Sequence, residues 1–152
     1  MSEAIIQADI QRELLRLTST FSAGDVTISD WGVLDGSSAN APYVIIDASG
    51  PFSLTRVQSQ WIQVWNIPFA LVVKFLDWDV SRADLAAKRE TVLAALRDTK
   101  NYNSASIALA WGLREIGGAE ISPVYDRYAT NPSESLPVFL SQEMTATVEE
   151  MP

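Results

Sequence analysis

Asp77, Asp79 and Asp84 are the side chains whose type and spacing come nearest to chemistry in this sequence. Carboxylates gathered near the start of a helix can hold a hard cation such as Mg²⁺, which takes oxygen ligands. The same residues have a simpler use. Asp77 and Asp79 close a long apolar run, and Asp84 answers the positive end of a helix that starts near Ser81. That use accounts for all three, so no metal ligand is assigned.

The chain contains no histidine and no cysteine. Ser-His-Asp and Cys-His nucleophiles, zinc sites built on His or Cys, and disulfides are therefore all excluded. No glycine-rich loop precedes a lysine, and Gly117-Gly118 lacks the strand-turn-helix setting of a nucleotide fingerprint. The expectation is a protein that is not an enzyme, with no catalytic, cofactor-binding or metal-binding residues. A small carboxylate-using enzyme or ligand-binding domain around Asp77 and Asp79 is the distant alternative. Asp126, Arg127 and Tyr128 read as a local ion pair in a turn, and exposed pairs of that kind are worth little.

Two other groups suit contact better than catalysis. Ser53 to Gln60, holding Arg56, Gln58 and Gln60, is a polar insert between two strands that should pair, so it forms the outer part of a hairpin reaching beyond the core. Of the five tryptophans, Trp65 and Trp111 have the parity of core residues. Trp31 and Trp78 lie near loops, where an exposed indole can anchor an interface; burial against the protein's own core is the competing account.

These residues need a scaffold. At 152 residues and 47% hydrophobic content, one domain covering residues 1–152 with a sizeable core is expected. Ile6, Ile10, Leu14, Leu17 and Phe21 recur at helical spacing, and Ser22 to Asp25 ends that helix. A short strand is expected around Val26 and Ile28, then a polar loop closed by Pro42, then a buried strand over Tyr43–Asp47. From Trp61 to Leu76 both parities are rich in β formers, a run of about 50 Å at ~3.3 Å per residue. Pro68 marks an edge or bulge within it.

A second helix follows, opened by Ser81 and Asp84, with Leu85, Val92, Leu93 and Leu96 on one face and Asn101 and Asn103 ending it. Arg89, beside the apolar stripe, snorkels or pairs. The run from Ile107 to Leu113 favours a strand, with a helix as the alternative its alanines leave open. Gly117 and Gly118 turn the chain, and Ile121 to Tyr125 adds a short strand. In the final strand Val138, Leu140, Met144, Ala146 and Val148 share one face, and Ser141, Glu143, Thr145 and Thr147 share a wet one. The fold class is α+β: a two-layer arrangement with an antiparallel sheet of about four to five strands, two helices on one face and an extended β-hairpin.

Eleven basic and nineteen acidic residues leave a net charge of −8. A surface of that sign repels phosphate backbones, so tight nucleic-acid binding is not expected. Met1 to Asp9 does not read as a signal peptide, and no apolar stretch is long enough to span a bilayer. Synthesis in the cytoplasm and no membrane partner are expected.

The opening helix ending at Phe21, "PYVII" after a polar loop, "WIQVWNIPFALVVKF" leading into "SRADLAAKRETVLAAL", and the closing "LPVFLSQEMTATVEEM" together resemble the tail terminator proteins of long-tailed bacteriophages. The resemblance spans most of the chain and rests on element order. It implies a homo-oligomeric ring, usually a hexamer, that caps the tail tube, contacts the tube protein and a neck or head-completion protein, and resides in the virion tail. Genomic DNA would pass through without tight binding; six copies at −8 apiece carry about −48, a repelling lumen. Ser53, Arg56, Gln58, Gln60, Trp31 and Trp78 are the candidate contacts with neighbouring subunits or tube. Another neck or head-completion protein is the near alternative.

Overall fold

The computed structural model describes residues 2–17, 21–22, 24–29, 44–47, 52–57, 59–97, 102–103, 110–125 and 136–150. In chain order these form α1 (Ser2–Leu15), β1 (Val26–Ser29), β2 (Val44–Asp47), β3 (Phe52–Val57), β4 (Gln60–Lys74), α2 (Trp78–Arg97), β5 (Tyr102–Asn103), β6 (Ala110–Val124) and β7 (Phe139–Glu150). The fold is α+β, as the patterning predicts.

A five-strand body runs β1-β2-β4-β7-β6, and the two-residue β5 adds to the far edge of β6. The seventh strand, β3, follows β2 along the same side of β4: Val44–Ile46 pair with Leu71–Phe69, and Phe52–Val57 pair with Trp65–Gln60. Six steps of chain from Ile46 to Phe52 thus face only four on β4. Pro68 stands opposite that break while its other side stays within a continuous ladder to β7, through Thr145. A residue without an amide proton fits between the two described ladders on that side.

The sheet is mixed, not purely antiparallel, because β1 and β2 run parallel. The connection between them spans residues 30–43, enough for the crossover of about a dozen residues that a parallel pair requires.

One face of the sheet packs under both helices. Ile6, Ile10 and Leu14 of α1, with Leu85, Val92 and Leu96 of α2, share a buried cluster with Trp65, Ile67, Phe69, Leu71 and Val73 of β4 and Leu140, Met144, Ala146 and Val148 of β7. Alternation in β4 and β7 places all these sheet residues on one side. α1 ends at Leu15, earlier than the spacing through Phe21 predicts. Phe21 still reaches the core, and its amide is held by the Leu17 carbonyl at 2.9 Å.

The opposite face is not uniformly wet. Glu143 and Thr145 are exposed, as expected, but Phe139 and Ser141 at the start of β7 are buried. Phe139 joins Ile45, Ala70 and Val72 in a second, smaller cluster there.

Gly117-Gly118 does not turn the chain: β6 passes straight through it to Val124, with register shifts between Leu113 and Glu115 and between Gly118 and Ile121. A Cβ at Gly118 would run into the Met144 thioether, so a larger residue there would have to displace that side chain. The expected short strand at Ile121–Tyr125 is the end of β6.

Polar contacts also tie the layers together. The buried Asp9 of α1 accepts from the Trp111 indole N–H of β6 at 2.9 Å and from Arg12 at 2.7 Å. Arg89 of α2 donates to Gln142 Oε1 at 3.0 Å, and Gln142 Nε2 donates to the Ala119 carbonyl at 2.8 Å. Arg89 therefore pairs.

Candidate functional site

The surface features that stand out lie at the two ends of β4. At the first, β3 and β4 form the expected hairpin, and the Val57–Gln60 pair leaves two residues for its turn. Ser59 in that turn has φ of 71°, a left-handed conformation that tight hairpin turns demand and that few non-glycine residues adopt. Arg56 pairs with Trp61 and Leu54 with Gln63. Alternation puts these four on the same face as Trp65, the face that the helices cover further along.

That cover stops between Trp65 and Trp61. Trp65 is 7% exposed and its indole N–H meets Glu150 at 2.9 Å, whereas Trp61 is 65% and Leu54 57% exposed. The hairpin therefore carries a face patterned for a core out into solvent, with Arg56 between its apolar residues. Large exposed aromatic and aliphatic side chains beside an arginine are the usual chemistry of a contact surface.

At the other end β4 gives way to α2. The helix begins at Trp78, three residues before the Ser81 start that the sequence suggests, because Asp77 caps it: Asp77 Oδ1 accepts the Val80 amide at 2.8 Å. Ser81 is instead buried inside the first turns, where its hydroxyl accepts the Leu76 amide at 2.8 Å and donates to the Lys74 carbonyl at 3.4 Å. These bonds fix a tight corner. Phe75 meets Trp78 edge to face at 5.1 Å, and the Arg82 guanidinium lies 5.3 Å from the centre of a Trp78 ring.

The corner presents Leu76, Trp78 and Val80 to solvent. Tyr125 and Leu136, also exposed, lie at the same end of the sheet, since the Phe75 amide bonds to Val138 and the Val138 amide to Val124.

The structure separates the three aspartates by role. Asp77 is the helix cap, Asp79 is exposed in the first turn, and Asp84 pairs with Lys88 at 2.6 Å. Among the described residues no three Asp or Glu side chains gather as metal ligands.

Of the candidate contacts, Ser53, Arg56 and Gln60 lie in the hairpin and Trp78 in the corner, so the structure places them in two groups at opposite ends. Trp31 and Gln58 lie outside the described residues, as do Asp126, Arg127 and Tyr128. Sequence reasoning missed Leu54, Trp61, Leu76, Val80 and Leu136. Trp61 shares the parity of Trp65, and the glutamines around it, Gln58, Gln60 and Gln63, are the signal that its surroundings are wet.

No family model matches the chain, and no curated protein matches it.

Proposed function

We propose that this chain is a virion structural subunit, copies of which form a ring that caps the tail tube of a long-tailed phage and joins it to the neck. The observation that carries the reading is the β3–β4 hairpin, which extends the helix-side face of the sheet into solvent with Leu54 and Trp61 uncovered. Such a projection is suited to grip a neighbouring protein, since its outer residues Leu54 and Trp61 are not buried in the core.

The charge supports the rest of the reading. On β6 and β7, the face away from the helices carries Glu115, Glu143 and Glu149, with Arg114 at the register shift beside them. In a chain of net charge −8, that face suits the wall of a lumen through which DNA slides without sticking.

Electron microscopy of the purified protein, alone and mixed with isolated tail tubes or with tailless heads, tests the proposal. Rings, or tube ends closed by added density, are the expected result. Attachment to heads but not to tubes would make it a neck protein on the head side. Single particles under all three conditions would overturn the ring.

A further inference from the structure

We infer that the hairpin tip of one copy docks on the β4–α2 corner of the next, a head-to-tail contact between Leu54, Arg56 and Trp61 on one side and Leu76, Asp79 and Val80 on the other. The inference names the surface that receives the hairpin and so rests, for its closed ring, on the function proposed above.

The two surfaces sit at opposite ends of one rigid strand. The fourteen steps from Gln60 to Lys74 span about 46 Å at ~3.3 Å per residue. Joined head to tail, two different patches at opposite ends leave one patch of each kind open and so propagate to a closed ring or a filament, whereas a reciprocal two-fold pair would use both and stop at two copies.

The occupant is a second copy because of charge. Copies of a chain at −8 repel one another, so a self-contact needs one side that departs from that average. Residues 52–63 contain Arg56 and no acidic side chain. The corner offers Asp77 and Asp79 in and before the first turn of α2, alongside Arg82, which lies over Trp78, and Lys74, which alternation places on the opposite sheet face. Exposed apolar residues flank the charges on both sides: Leu54 and Trp61 on the hairpin, and Leu76 and Val80 on the corner.

Sheet extension through β6 is the weaker way to join copies, because β6 carries two register shifts against β7 and Pro123 near its end, devices that disturb an edge.

The chain's lack of cysteine makes a direct test clean. Full-length Leu54→Cys protein is mixed with full-length Val80→Cys protein and oxidised, free and on isolated tail tubes. Crosslinked species joining position 54 of one copy to position 80 of another are expected to dominate. Arg56→Asp or Asp79→Arg should each lower the yield about tenfold by placing like charges together, and combining both in every chain should restore it. Circular dichroism on each variant confirms the fold.

Rings seen by microscopy with no 54–80 product would overturn this pairing and leave the ring intact. Products joining 54 to 54 would overturn it in favour of a symmetric tip-to-tip contact. The 54–80 product in open filaments that ignore tail tubes would support the contact and overturn tube capping, and the same product in particles of two copies would overturn the head-to-tail arrangement. Single chains with no product would overturn both.

Discussion

Trp65 and Trp61 lie four residues apart on the same strand and the same face, yet one is buried in the core and the other stands in solvent. The inner half of β4 lies beneath α1 and α2, while the outer half pairs only with β3 and β7 and projects past the helices. Alternation assigns each side chain to a face. Whether anything covers that face depends on where the helices end. In sequence, an uncovered stretch of such a face looks the same as core.

Substitutions in the two halves should therefore have opposite signatures. The largest effect on folding is expected for Phe69→Ala, which removes a fully buried ring from the inner half and should lower stability by about 3–5 kcal/mol in urea unfolding. Asp9→Ala takes away the buried acceptor that joins α1 to Trp111 and pairs with Arg12 of the same helix, and a loss of about 1–3 kcal/mol is expected in the same assay. Asp77→Ala removes the cap where the cover of α2 begins and should cost about 1 kcal/mol, read as a lower Tm. Trp61→Ser in the outer half should change monomer stability by less than about 0.5 kcal/mol. It should nevertheless abolish rings and capped tubes under the microscope. A Trp61→Ser protein that unfolds as readily as Phe69→Ala would break the comparison, because the hairpin would then belong to the core.

Much of the framework was legible. The apolar spacing of Ile6, Ile10 and Leu14 located α1, the double parity of residues 61–76 located β4, and the polar insert located the hairpin. These signals are local, and both helical and strand periodicity arise within a few residues. The start of α2 was misplaced because Ser81 and Asp77 both have the chemistry of a cap. Only the path of the chain out of β4 decides which one meets the free amides of the first turn. Gly117-Gly118 reads as a turn for a similar reason. What makes it strand is its pairing with Thr145 and Met144 of β7, residues distant in sequence.

The candidate site was half legible. Ser53, Arg56 and Gln60 were found through polarity, which marks a segment as wet. Leu54 and Trp61 were not, since an apolar residue in an alternating strand is ordinarily buried.

The sequence by itself determined the types of α1, β4, α2 and β7, the two faces of β4 and β7, the absence of imidazole and thiol chemistry, and the acidic balance, all of which follow from residue identity and short-range geometry. Only the tertiary structure decided how far the helices reach along the sheet, that β1 joins β2 in parallel, and that the exposed apolar residues gather at opposite ends of β4. Burial depends on which distant segments arrive to exclude water, and no local pattern encodes that arrival.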